Sequence, residues 1–176
     1  FNEEKNIRKL YEDLKIKISD LEKKYDIILK IVFFDDGSSD NSRQLLEELE
    51  SIKLLYVDEN KGLGNAIREL CMHSKETGVN GMFKVDGDGQ MDLDDLDNFL
   101  KNDMHTNNDV IYGNRFHKSS DYKMPLHRRF GSKIFKIFLK LFSIDISDPT
   151  NGFIYLSKKY LANSKIIGNY NAAQQI

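Results

Sequence analysis

The sequence predicts an α/β fold: a doubly wound, mostly parallel sheet flanked by helices, of the Rossmann-like kind. Three observations carry this. Short β-branched and aromatic runs alternate with amphipathic stretches. Acidic and glycine-rich clusters follow those runs, where α/β sheets bind their ligands. Finally, the chain of 176 residues has only two prolines, too few for long linkers, and no internal repeat or low-complexity tract.

Taken in order, Glu3 to Lys24 reads as a helix, because Ile7, Leu10, Tyr11, Leu14, Ile18 and Leu21 recur at three- and four-residue spacing among charges. "DIILKIVFF" (Asp26 to Phe34) is a near-continuous apolar run closed by Asp35-Asp36-Gly37, the pattern of a buried parallel strand whose loop starts at Asp35. Asp40 is placed to cap a helix reaching Glu50, and "KLLYV" (Lys53 to Val57) reads as a strand. "GLGNAIRELCMHSKETG" follows as a helix that stops at Gly78. "GMFKV" is then a strand, Asp92 to Lys101 a helix and "DVIYG" another short strand. Three acidic or glycine-rich loops, Asp35 to Asp40, Asp58 to Gly64 and Asp86 to Gln90, therefore fall on one rim and predict one site.

Composition narrows the function classes. Twenty-six Lys and Arg against 28 Asp and Glu give a net charge of −2, so there is no global attraction to nucleic acid and any basic patch is local. The single cysteine, Cys71, excludes an internal disulfide and fits a reducing compartment; within a helical stretch it reads as a small buried hydrophobe. No apolar run approaches the ~20 residues that span a bilayer. The chain opens on Phe1 without Met and stops within a helix-like segment, so membrane helices are expected, if anywhere, in flanking sequence. The four histidines have no metal-ligand spacing.

"KVDGDGQMDLDDLDNF" (Lys84 to Phe99) carries the chemistry, and it admits two readings. Aligned as an EF-hand on Gly89, it puts Asp86, Asp88 and Asp92 at positions three, five and nine and Asp95 at twelve. Lys84 then stands where the first carboxylate ligand belongs, and "VNGMFKV" alternates like a strand where an EF-hand has a helix. The other reading is a strand end that turns Asp86 and Asp88 the same way, since alternate residues of an extended segment share a face. Two carboxylates would then share Mg²⁺ or Mn²⁺ and leave coordination positions for diphosphate oxygens. Gly87 and Gly89 permit the bend and a close substrate approach. An acidic turn that merely caps the next helix is the competing structural explanation, and a lone Asp-x-Asp would not displace it.

Its neighbours do. Phe1-Asn2-Glu3-Glu4 with Asn6-Ile7, then "FFDDGSSDNS", "NKGLGNAI", "VDGDGQMDLDDL", "YGNRF" and "DPTNGF" occur in an order that resembles the inverting glycosyltransferases of family 2, with the GT-A fold. Within it the chain looks most like polyprenyl- and dolichyl-phosphate sugar transferases. The resemblance covers nearly the whole chain and implies one GT-A catalytic domain, with residues 1–112 as the nucleotide-sugar half and 113–176 as the acceptor half. Phe1 to Glu3 would be the tail of a first strand that lies outside this sequence.

The resemblance also implies roles. Phe1, Glu3, Asp35, Asp36, Asn60, Lys61 and Gly62 match the nucleotide-contacting loops. Asp86 and Asp88 match the metal pair, Gly87 the residue between them, and Gln90 a position at the metal and diphosphate. Arg115 in "YGNRF" and Arg128 in "LHRRFGSK" match arginines that face the acceptor phosphate and diphosphate, with Arg129 competing for the second role. Arginine's fork suits phosphate oxygens. Lys61 and both arginines have ordinary surface readings as well.

The acceptor can be approached from the residues themselves. A hydroxyl acceptor generally needs a carboxylate base, yet no Asp or Glu follows Asp148. Either Asp148 is the base, or it lies outside this sequence, or an anionic phosphate acceptor makes one unnecessary. Within Pro125 to Phe142, Arg129, Lys133, Lys136 and Lys140 recur at helical spacing among Phe, Ile and Leu. That segment reads either as a basic amphipathic helix on an anionic membrane or as an ordinary helix packed on the sheet. The expectation is an enzyme moving a sugar from a UDP- or GDP-sugar to a polyprenyl phosphate, at the cytoplasmic face of a membrane. The alternatives are a family 2 transferase acting on a glycan hydroxyl, a calcium-binding module, and an inactive nucleotide-sugar-binding domain. Sequence leaves the sugar and the oligomeric state open.

Overall fold

In the computed structural model, residues 1–106, 108–113 and 152–163 are described. Helix α1 spans Glu4–Tyr25 and buries Ile7, Leu10, Tyr11, Leu14 and Leu21, the stripe that its three- and four-residue spacing dictates. Lys23 and Lys24 lie in its last turn, where cations suit the helix dipole, and Asp26 at φ 52° ends it in the left-handed region.

Strand β1 (Ile31–Asp36) pairs in parallel with β2 (Ile52–Val57), in a register from Ile31 opposite Ile52 to Asp36 opposite Val57. Helix α2 (Ser42–Glu47) makes the crossover. It is shorter than the expected Asp40-to-Glu50 helix. β1 begins later than expected but runs further, so that Asp35 and Asp36 are its last residues and not the start of the loop. Helix α3 (Leu63–Glu76) ends through Thr77 at Gly78, whose φ of +67° explains the glycine.

Strand β3 (Gly81–Lys84), helix α4 (Asp95–Thr106) and strand β4 (Val110–Tyr112) follow as predicted in kind. Helix α4 starts three residues later and ends five later than the sequence suggested. Strand β5 (Ile154–Ser157) and helix α5 (Lys158–Asn163) were not anticipated. Strand β5 lies between β3 and β4, antiparallel to both, so β3 and β4 run parallel to each other with a strand inserted between them. The architecture is thus mixed α/β, as expected of a GT-A fold. In the described pairings, however, antiparallel ladders accompany the parallel one.

Among the described residues β1 and β3 share no ladder; packing joins their sheets. Leu10, Leu14 and Leu21 of α1 meet Leu96, Phe99 and Leu100 of α4 together with Phe153 and Tyr155, and Ile31, Phe33 and Phe83 close on them from both sheets. Phe99 meets Phe153 edge-on at 4.9 Å, and Phe83 lies 5.0 Å from Tyr155, geometries that add to burial. A second cluster sets Leu156, wholly buried, among Ile67, Cys71, Ile154, Tyr160 and Leu161. Burying such a leucine contributes about 1.5–3 kcal/mol, so the unanticipated β5 is a central part of the core. The Cys71 thiol is buried and its pKa is pushed up to about 12 by desolvation, which makes it the inert hydrophobe expected. Among the described residues no helix is long and apolar enough to cross a membrane.

Candidate active site

The first loop is built on two adjacent buried carboxylates that point opposite ways, as consecutive strand residues must. Asp35, 2 % exposed, accepts from Arg43 Nε at 3.0 Å and from the Ser38 backbone N–H at 3.2 Å. Arg43 also donates to Asp58 at 3.2 Å and to the Val57 carbonyl, and lies 4.3 Å from the centre of the exposed Tyr56 ring. Asp36 accepts from the backbone N–H groups of Lys61 (3.0 Å) and Gly62 (2.8 Å) at the start of α3, where unpaired amides and the helix dipole favour an anion. Both carboxylates therefore hold the protein's own loops together. Gly37, at φ +67°, lets the first loop touch the second: a Cβ there would sit 2.6 Å from the Asn60 nitrogen. Asn60 and Lys61 are exposed on that second loop, beside the half-buried Gly62.

The segment before α1 stitches to the same loop. Asn2 N donates to Ser38 Oγ (2.9 Å), Ser39 N to Asn2 Oδ1 (2.9 Å), Glu3 N to the buried Ser42 Oγ (2.8 Å) and Asn41 N to Glu4 Oε2 (3.1 Å). Phe1 is exposed. The Glu3 carboxylate accepts from Asn6 Nδ2 at 2.6 Å, and its Cγ lies 3.5 Å from where a Cβ on Gly87 would be. Glu3 thus bridges the first loop and the Asp-x-Asp loop.

That third loop leaves β3 at Lys84 and turns at once. Asp86 N–H points to Met91 Sδ at 3.2 Å, Gln90 N donates to Asp88 Oδ1 at 3.0 Å, and Gly89 takes φ +67°. The same-face argument from strand alternation therefore does not apply to Asp88, which sits in a turn beyond the strand. Asp88 and Gly89 border a cleft against α1, lined by Asn6, Lys9 and Asp13. Asp86 instead faces Lys84, a lysine only 6 % exposed whose ammonium donates to Asp86 Oδ1. A Cβ on Gly152 would fall 2.7 Å from Lys84 Nζ and 2.8 Å from Asp86 Oδ2, so a larger residue there would displace these two side-chain ends. Gln90 is exposed beside them.

The calcium-loop reading fails on this geometry. A strand precedes the loop, Asp92 accepts from Asp94 N at 2.9 Å, and Asp95 and Asp97 open α4, where negative charge suits the dipole. Asp97 is held by Lys101, Lys24 and Tyr25, contacts that push its pKa well below the usual carboxylate range. Among the described residues no group of three or more His, Cys, Asp or Glu side chains is placed to hold a metal. Asp86 and Asp88 nevertheless fit Mg²⁺ or Mn²⁺ in kind. Such ions bind through one or two carboxylates plus substrate phosphates, and each aspartate has one oxygen committed within the protein and a second without a hydrogen bond from the described residues. Arg115, Arg128, Arg129, Asp148 and the Pro125-to-Phe142 segment lie outside the described residues.

The model of glycosyl transferase family 2 matches residues 1–164. The chain belongs to that family. This family 2 enzyme is a glycosyltransferase, as two of its relatives are named to be. An uncharacterized protein of Methanocaldococcus jannaschii is 28% identical over 97% of the chain and 74% of its own length. The UDP-N-acetylglucosamine–dolichyl-phosphate N-acetylglucosaminyltransferase of Methanococcus voltae is 27% identical over 75% of the chain, and the dolichyl-phosphate beta-glucosyltransferase of Saccharomyces cerevisiae 30% over 47%. The matched stretches span 56% and 27% of those two transferases.

Sequence reasoning missed Arg43, Ser42 and the role of Gly152, and it used Lys84 only to argue against calcium. Arg43 had a signal, as the lone cation between two acidic stretches. Lys84 had another, a charge inside an otherwise apolar strand.

Proposed function

We propose that this glycosyltransferase is an inverting enzyme that moves a sugar from a UDP- or GDP-sugar to a polyprenyl phosphate at the cytoplasmic face of a membrane. The observation that carries the reading is the Asp86-to-Gln90 loop. Its two aspartates each keep one oxygen for a ligand, beside a Gly152 that leaves space. In this reading Asp86, Asp88 and Gln90 hold Mg²⁺ or Mn²⁺ with the donor's diphosphate, and Gly87 lets the donor approach the backbone. When bound, the ion would neutralise charge on the departing nucleoside diphosphate.

The base end of the donor meets the loops of Phe1 to Glu3, Asp35 to Asp40 and Asn60 to Gly62. Asp35 and Asp36 act there through the loops they hold, since their oxygens are already engaged by Arg43 and by the amides of α3. Residues 1–112 form the donor half and 113–176 the acceptor half. Arg115 and Arg128 bind the acceptor phosphate and the diphosphate. An anionic phosphate needs no deprotonation, so Asp148 is a base only if the acceptor is a hydroxyl. Two relatives, both named as dolichyl-phosphate sugar transferases, support the phosphate acceptor. Peripheral membrane contact is assigned to Pro125 to Phe142.

The test is a screen of UDP- and GDP-sugars with Mn²⁺, followed by transfer to a short polyprenyl phosphate. One donor is expected to give a metal-dependent polyprenyl-phosphate sugar. Transfer to a glycan hydroxyl with none to polyprenyl phosphate would replace the acceptor assignment. Turnover that survives complete chelation would sink the metal assignment.

A further inference from the structure

Lys84 is a buried cation on the first carboxylate of the metal loop, and nothing in the reading above uses it. It is 6 % exposed, while its partner Asp86 is 35 % exposed, so the ammonium lies behind the carboxylate, on its protein side. Gly152 lies so close to the pair that an added Cβ would approach both charged groups. Backbone pairing of Lys84 with Ile154 of β5 fixes the stem. Among the described residues Asp86 is the ammonium's only ion-pair partner.

We propose that Lys84 makes binding of a divalent cation at Asp86 conditional on the donor's diphosphate. The proposal rests on the reading that Asp86 and Asp88 hold that ion. A fixed positive charge on one oxygen of Asp86 opposes a second, doubly charged cation at the other, and this repulsion is strong where protein replaces water. The donor's diphosphate brings negative charge that reverses the balance. Ion and donor therefore enter together, and by linkage each raises the other's affinity by the same factor. Lys84 touches neither sugar nor acceptor in this scheme and is a positioning residue.

The experiment counts free Mn²⁺ by electron paramagnetic resonance in the presence of the full chain, with no nucleotide, with UDP and with GDP. Wild type is expected to bind Mn²⁺ weakly alone and at least roughly tenfold more tightly with one of the nucleoside diphosphates, after correction for Mn²⁺ held by free nucleotide. Lys84→Met, which keeps the stem and removes the charge, is expected to bind Mn²⁺ alone at least roughly tenfold more tightly than wild type, so that the ion occupies the site without nucleotide. Lys84→Arg should behave as wild type. A purely structural lysine predicts the opposite sign, because its loss would disorder Asp86 and weaken the ion. Unchanged or weaker Mn²⁺ binding by Lys84→Met therefore overturns the proposal; should that variant not fold, Lys84→Gln gives the same readout. Wild type that binds Mn²⁺ equally with and without nucleotide overturns it as well. Wild type that binds no Mn²⁺ under any condition removes the metal reading itself, and the Lys84 proposal with it.

Discussion

Two acidic loops occupy the same rim and look alike in sequence, Asp35-Asp36-Gly37 and Asp86-Gly87-Asp88, yet the protein treats them differently. In the first, both carboxylates are nearly inaccessible and all four oxygens are spoken for, by Arg43, Ser38, Lys61 and Gly62. In the second, the aspartates are half-buried and among the described residues each commits a single oxygen, to Lys84 or to the Gln90 amide. Spacing accounts for the contrast. Adjacent acids at a strand end must diverge, and each finds a loop or helix start to hold. Acids separated by a glycine in a turn stay at the surface. Paired acids at a strand end thus serve architecture in one loop and are available for chemistry in the other.

Four substitutions break or sharpen this contrast. The largest effect is expected from Asp35→Ala, which takes the buried acceptor from the Ser38 amide and from Arg43 Nε while Arg43 keeps Asp58 and the Val57 carbonyl, and should cost about 2–3 kcal/mol in urea unfolding. A cost below about 1 kcal/mol would show that Asp35 is not a structural anchor. Next comes Asp88→Ala, expected to lower nucleotide-dependent turnover about a hundredfold or more while shifting unfolding by less than about 0.5 kcal/mol. Intact turnover would remove Asp88 from the metal assignment. Asp36→Ala should cost about 1–3 kcal/mol, because the Lys61 and Gly62 amides lose their acceptor, and should loosen the Asn60-to-Gly62 loop. Hydrogen exchange at those two amides reads this directly, and unchanged protection would contradict the latch.

The smallest effect concerns pH. Asp97, held by Lys101, Lys24 and Tyr25, has a folded pKa depressed below its unfolded value of about 3.9. Its contribution is therefore present above about pH 4 and is lost as pH falls through the folded value. Asp97→Asn should shift the urea midpoint more at pH 7 than at pH 2, where part of the contribution has already been lost between the unfolded and the folded value. An equal shift at both pH values would mean that packing, not charge, holds α1 to α4.

Much of this was legible in the sequence, for physical reasons that particular residues show. The stripe from Ile7 to Leu21 marked α1 because helix periodicity is local. The apolar run before Asp35 marked β1, and Gly78 marked the end of α3, because strand burial and left-handed backbone geometry leave residue-type signatures. Strand β5 was not legible: four residues carry too little pattern, and its place between β3 and β4 depends on partners far away in the chain. Even so, among the described residues Leu156 is the most buried side chain of the core.

For the site, sequence alone determined which residues reach the rim and which family the chain resembles, since motif order and loop position follow from covalent spacing and the direction of strands. Only the tertiary structure decided what each acid does there. It set Arg43 and the start of α3 against Asp35 and Asp36, and Lys84 with Gly152 against Asp86. The availability of a carboxylate depends on the charges and amides that long-range packing brings within about 3 Å of it, and no local pattern encodes that distance.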